Sequence, residues 1–293
     1  MRYEPNIRLD SISAIDVHVH IECSDHGVLS LPDPLIEASS KYFKSGDRTP
    51  NLDLIADRYR EWGLAAVVFT VDAETNLRHK PVSSEEIAAG AARNNDVLIP
   101  FGSVDPRQGE SAVGRARKLV TEHGVRGFKF HPSVQGFDPS DQGYYPLYEA
   151  LQELGVAALF HTGQNGIGAG MPGGFGIKLA YSNPLLLDAV AADFPDLQVI
   201  LAHPSVPWQD EANSIATHKS NVWIDLSGWS PKYFPESLVK GANRRFGDRV
   251  LFGSDYPLIQ PTTWLTAFAE APFVDEVRPK ILKDNAARLL GLG

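Results

Sequence analysis

The chain has 293 residues, a formal net charge of −9 at pH 7, 43% hydrophobic residues and 22% charged residues. These fractions exclude disordered, collagen-like and coiled-coil classes, no apolar run approaches the roughly 20 residues of a membrane helix, and the acidic balance argues against a nucleic-acid or anionic-membrane partner. A single cysteine, Cys23, excludes an internal disulfide and reads as an inert thiol; with an opening segment that lacks an apolar signal core, the expected location is cytoplasmic.

Short, near-continuous apolar runs alternate with helix-period segments along the whole chain. The first run, 14–20, ends on His18-Val19-His20 and is followed by a long connection, 21–50. Run 65–71 leads to a helical segment at 84–93, which Ser83-Ser84-Glu85-Glu86 opens as a capping box. Run 98–104, helix 110–123, run 125–131, helix 145–154 and run 156–161 follow in order. The connection 163–183 carries seven glycines and suits a loop near a ligand. Helix 184–194, runs 198–203 and 222–227, helix 236–246, run 250–254 and a closing amphipathic helix at 277–290 complete the series. Gly63, Gly124, Gly155 and Gly247 stand where helices give way to strands, as left-handed caps do.

Eight buried parallel strands alternating with helices predict a (β/α)8 TIM barrel, one domain over 1–293, with extended βα loops after strands 1 and 5. A doubly wound sheet is the structural competitor. Closure is favoured by the polar residues that finish the strands: His18 and His20, Lys129 and His131, His161, His203 and Asp255. In a barrel these ends meet at one face, where active sites are built. Residues i and i+2 of a strand share a face, so His18 and His20 project inward together, an arrangement suited to chelating a borderline cation such as zinc. Each histidine alone reads more simply as a hydrogen-bonded strand end; the joint pattern points to a metal.

The segments Ile15-Asp16-Val17-His18-Val19-His20, Phe160-His161-Thr162-Gly163, Leu201-Ala202-His203-Pro204 and Leu251-Phe252-Gly253-Ser254-Asp255-Tyr256-Pro257 resemble the metal-dependent amidohydrolase superfamily, in the branch of aminocarboxymuconate-semialdehyde decarboxylase, resorcylate decarboxylases and related TIM-barrel hydrolases. The resemblance implies one divalent ion, zinc first and manganese second, held by His18, His20, His161 and Asp255. It implies that His203 and Asp255 are catalytic, His203 stabilising developing charge and Asp255 moving a proton to and from water. Asp16 either orients a ligating histidine or makes an internal hydrogen bond. Lys129 is a positive group for substrate, or a carboxylated bridge to a second metal as in two-metal relatives; strand four leaves open whether Lys129 or the flanking Phe128 and Phe130 face inward. His131 either shares the mouth or caps its strand. Trp229 walls the pocket or packs, as does Trp208, while Asp72, Arg78, His79, Asp105 and Arg107 are further candidates for binding substrate.

The leading expectation is a hydrolase that activates water on a metal against a carbonyl in a small molecule: a β-ketoacyl thioester, a lactone or an amide. The segments Gly127-Phe128-Lys129-Phe130-His131-Pro132 and Ile224-Asp225-Leu226-Ser227-Gly228-Trp229-Ser230-Pro231 resemble that side of the branch. The alternative is a non-oxidative decarboxylase of an aromatic or unsaturated acid on the same site. A non-catalytic ligand-binding barrel is the third reading. The expected partner is a small-molecule substrate, and the resemblance implies a homo-oligomer, dimer or larger.

Overall fold

A computed structural model describes residues 1–43 and 50–292. Its strands are β1 (Ala14–His20), β2 (Leu64–Phe69), β3 (Leu98–Pro100), β4 (Gly127–Phe130), β5 (Ala157–His161), β6 (Val199–Ala202), β7 (Val222–Asp225) and β8 (Val250–Leu251). They pair in parallel as β1-β2-β3 and β4-β5-β6-β7-β8. Two seams join these sheets. Between β3 and β4, Gly102 N–H donates to Gly127 O and Lys129 N–H to Gly102 O, each at 2.8 Å. Between β8 and β1, Val17 N–H donates to Phe252 O at 2.9 Å and His20 N–H to Tyr256 O at 2.8 Å. The cylinder is closed, so the doubly wound alternative falls.

Two layers of core follow from strand alternation. Inside the barrel pack Ile15, Val17, Val67, Phe69, Ile99, Phe101, Leu159, Ile200, Trp223 and Leu251, one or two from most strands. Between barrel and helices pack Val19, Val68, Phe128, Phe130, Phe160 and Leu201 against helix residues such as Ile55, Tyr59, Ile87 and Leu119. This settles the register of β4: both phenylalanines face outward, and Lys129 faces in.

The helix Ser84–Arg93 has the expected bounds, and Ser83 Oγ accepts from Glu86 N–H at 3.1 Å. The reciprocal arm of the box is missing, because Glu86 Oε1 accepts instead from Asp25 N–H at 2.7 Å. Helices Glu110–Thr121, Tyr145–Glu153, Leu186–Asp193 and Glu236–Arg244 stop one to two residues short of the periodic segments. The closing helix contains a π-turn over Lys280–Asp284 before Asn285–Leu290. The connection 21–50 contains a helix, Asp33–Phe43; its positions 44–49 lie outside the described residues. Gly63, Gly124 and Gly155 take positive φ, but Gly247 does not; it opens a 3-10 turn, with its Cα hydrogens against Ala242 O. Among the described residues no helix is long and apolar enough to cross a membrane.

Candidate active site

β1 does not alternate cleanly. Asp16 pairs with Ala66 and Val19 with Val68, so three steps on β1 match two on β2, a bulge. The extra residue turns His18 inward directly after inward Val17, and His20 follows on the same face. Asp16 is left facing the helix layer, where Tyr59 Oη–H donates to its Oδ2 at 2.7 Å and Ser254 N–H to its Oδ1 at 2.9 Å. Asp16 therefore ties the barrel to its helices and does not touch the His18 ring. Burial raises its carboxyl to about 6, against the opposing pull of its Ser254 and Tyr59 hydrogen bonds.

The carboxylate behind His18 is Asp225, at the end of β7. His18 Nδ1–H donates to Asp225 Oδ2 at 2.6 Å, with both side chains fully buried. With Asp225 ionised, that bond takes the imidazole proton on Nδ1 and turns the Nε2 lone pair inward, where Lys129 Nζ lies 3.1 Å from it. His18 Nε2 lies 3.2 Å from His20 Nε2 and 3.4 Å from Asp255 Oδ1, and His20 Nε2 lies 3.2 Å from that same oxygen. Among the described residues, His18, His20 and Asp255 form a group whose ligand atoms lie within 4.8 Å of one another. Burial, then the charge of Lys129, holds His18 well below the usual imidazole range. Burial alone would raise Asp255, but the His20 hydrogen bond and the nearby His203 and Lys129 outweigh it and bring its carboxyl down to about 2. Two imidazole nitrogens converging on one carboxylate oxygen are a donor set that fits a borderline divalent cation.

His161 ends β5 outside that three-residue group. Its Nε2–H donates to Gln164 O at 3.2 Å, which leaves Nδ1 as its lone-pair nitrogen. Its ring stacks on His131, with centroids 3.8 Å apart and planes 11° apart. His203 follows β6 and has Nδ1 at 2.9 Å from Ser227 Oγ, whose own proton goes to Asp225 Oδ2 at 2.7 Å. Asp225 thus anchors His18 directly and His203 through Ser227. Burial first, with Lys129 adding to it, lowers His203 to about 4 despite Asp255 nearby.

Backbone geometry marks the same places. Only four described non-glycine residues have positive φ, and two of them are His203 (75°) and Asp255 (72°). Such strain persists where surrounding structure over-determines it. A Cβ on Gly253 would stand 2.2 Å from Asp225 Oδ1 and 2.9 Å from His18 Cβ, so only glycine lets this stretch approach the pair.

Above the group opens a cavity of about 560 Å³, bordered by His20, Thr70, His131, His161, His203, Trp229 and Asp255 among others, with Gln164 to Ile167 of the glycine-rich connection on one side. Lys129 lies behind this wall: fully buried, its Nζ is 3.1 Å from His18 Nε2 and 5.1 Å from the Phe69 ring centre. Burial lowers its ammonium group below the lysine range, with Asp255 and Asp225 opposing. Asp72, Arg78, His79, Asp105, Arg107 and Trp208 do not border the cavity. Asp72 pairs with Arg115 at 2.7 Å, His79 donates to Leu29 O, and Asp105 caps a turn at Arg107. Asp225 and Ser227 were not singled out by sequence reasoning, although run 222–227 ends on polar residues just as the histidine-bearing runs do.

A family model described as amidohydrolase matches residues 15–292. A curated relative, 2-amino-3-carboxymuconate-6-semialdehyde decarboxylase of Dictyostelium discoideum, is 23% identical over 240 residues; the match takes in 71% of this chain and 65% of that protein's length. Among solved structures, a TIM-barrel protein from Bordetella bronchiseptica superposes with a TM-score of 0.74 at 22% identity, covering 95% of this chain and 98% of that one. A dihydroxybenzoic acid decarboxylase from a Polaromonas species, solved with manganese and the inhibitor 2-nitroresorcinol, gives a TM-score of 0.68 at 17% identity, covering 96% and 97%. At these identities the superpositions carry the fold.

Proposed function

The chain belongs to the amidohydrolase family, and from that premise we propose that it is a metal-dependent, non-oxidative decarboxylase of an aromatic or unsaturated carboxylic acid. The observation that carries this reading is the grouping of His18, His20 and Asp255 as ligating side chains at one end of the cavity, with a single lysine, Lys129, behind them. With a divalent cation held there, such a floor would attract an anionic carboxylate. The sequence put hydrolysis first on the same constellation; decarboxylation takes its place because the curated relative and the manganese-bound structural neighbour are both named decarboxylases.

In this reading His18, His20 and Asp255 would hold one divalent ion, and His161 would join them as a further ligand. Zinc suits the nitrogen-rich set, and manganese is present in the Polaromonas neighbour. When bound, the ion supplies Lewis-acid charge that draws in and polarises a substrate oxygen. Asp225 keeps the His18 lone pair aimed at the group and, through Ser227, keeps the His203 proton on Nδ1, so that His203 Nε2 faces the substrate. Decarboxylation breaks the carbon–carboxylate bond, leaves its electron pair on the substrate carbon and adds one proton there. That proton comes from solvent, and we assign its relay to the carbon to His203 Nε2 and Asp255, which take it up and pass it on; both line the cavity and are held by strained backbone.

The test is a panel of carboxylated aromatics, lactones and β-ketoacyl thioesters offered to protein loaded with zinc or manganese, followed for carbon dioxide and for new acid. Carbon dioxide released from one of the acids is the expected result. New acid without carbon dioxide would return the assignment to hydrolysis.

A further inference from the structure

The cavity above the ligand group measures about 560 Å³, whereas an apolar cavity of about 150 Å³ already holds one benzene ring. A single-ring acid beside an ion would therefore fill only part of it. The outer part is bordered by three loops that leave the ends of β5, β7 and β8, and each is fixed by bonds of its own. After β5, Asn165 Oδ1 accepts from Ile167 N–H at 2.9 Å and Asn165 Nδ2–H donates to Ile167 O at 3.3 Å. Both main-chain polar groups of Ile167 are thus satisfied, and the residue borders the cavity half-buried. After β7, Tyr233 N–H donates to Ser230 O at 2.9 Å, and the neighbouring Phe234 ring packs against Trp264 and Phe273, with centroids 6.2 and 6.3 Å away. That anchored turn holds Tyr233 at the mouth, 71% exposed, while Trp229 from the same loop borders the cavity half-buried. After β8, Leu258 N–H donates to Asp255 O at 2.9 Å, so an apolar residue and a candidate ligand share one turn and one cavity.

We propose that this outer region is a subsite for a second, uncharged apolar group of the substrate, an aryl or alkyl substituent carried away from the carboxylate. Ile167, Trp229, Tyr233 and Leu258 supply it with two aliphatic side chains and two aromatic rings. These side chains keep part of their surface in water, and covering apolar surface is favourable: a fully buried phenyl group is worth about tenfold or more in affinity. Trp and Tyr rings add edge or face contacts to an aryl group. A second carboxylate is the poorer occupant, because among the described residues no lysine or arginine borders the cavity. The floor would thus take the acid, and the rim would select what the acid carries.

This assignment rests on the acid-binding reading of the cavity. It is tested by titration calorimetry of manganese-loaded protein with benzoate, 3-phenylbenzoate, 4-phenylbenzoate, isophthalate and terephthalate. At least one phenylbenzoate is expected to bind about tenfold or more tightly than benzoate, and neither dicarboxylate more tightly than benzoate. Replacing both rings, Trp229→Ala with Tyr233→Ala, is expected to cut the phenyl advantage to under about threefold, with metal content and far-ultraviolet dichroism as in the parent. Tyr233→Ala alone, at a side chain outside the core, is expected to cut it at least twofold. Tyr233→Phe is expected to keep it, which separates ring packing from hydroxyl bonding. Equal binding of benzoate and both phenylbenzoates, an advantage that survives the double replacement, or tighter binding of a dicarboxylate overturns the subsite; so does failure of every acid to bind. If single-ring acids release carbon dioxide while a second ring brings no gain, the decarboxylase reading stands and the subsite falls. If the phenyl advantage is present and sensitive to the double replacement while no acid releases carbon dioxide, the subsite stands and the decarboxylase reading falls.

Discussion

His18 and Asp225, 207 positions apart in the chain, meet as a fully buried 2.6 Å hydrogen bond that sets which imidazole nitrogen faces the cavity. Partners of this kind typically alter metal affinity by about 10- to 100-fold when changed. Asp225→Asn is therefore expected to weaken metal retention by that factor, measured by chelator competition with elemental analysis, while far-ultraviolet dichroism stays as in the parent. Unchanged affinity would mean that the carboxylate does not govern His18.

Asp16 should behave in the opposite way. Tyr59→Phe removes one buried bond to Asp16 and leaves those from Ser254. A loss of about 1–3 kcal/mol in urea unfolding is expected, with metal content intact. Loss of metal without loss of stability would exchange the roles of Asp16 and Asp225.

Gly228, at the cavity rim, is a position from which to disturb His203. A Cβ there would stand 2.5 Å from His203 Nδ1, and the backbone φ of +74° adds strain. Gly228→Ala is expected to lower turnover about 100-fold, the order of loss that misplacing a reacting group by an ångström brings, with metal content unchanged. Near-parental turnover would remove His203 from the chemistry.

Lys129 Nζ already touches His18 Nε2 at 3.1 Å. We expect metal titration to saturate at one ion per chain and to be indifferent to bicarbonate. Two ions per chain, with bicarbonate needed for the second, would instead establish the carboxylated lysine.

The positions of strands and helices were legible because burial on both faces leaves near-continuous apolar runs, and because the helix period is plain in segments such as Ser84–Arg93. Strand ends were not. The run at 250–254 predicts a strand of five residues, yet β8 is only Val250–Leu251, because Ser254 and Asp255 turn to bond Asp16 and His18 on β1 instead. The same limit left two roles open for Asp16: strict alternation puts it beside the histidines, but a one-residue bulge, which no composition pattern announces, faces it the other way, and the internal hydrogen bond is the role it has. The candidate ligands were visible as polar stops on apolar runs. Asp225 was a stop of the same kind, but its importance lies in a contact made only when the cylinder closes. Reaction type was the least legible feature, since one donor set serves water attack and loss of carbon dioxide alike.

The seam between β8 and β1 is held by few main-chain bonds, and it is where Asp255 meets His18 and His20. An ion gripped by those three side chains would act as a cross-link between the first and last staves of the cylinder. Ligand binding to the folded form alone raises stability by mass action, so chelation should lower the melting temperature as well as activity, and amide exchange should quicken first along this join.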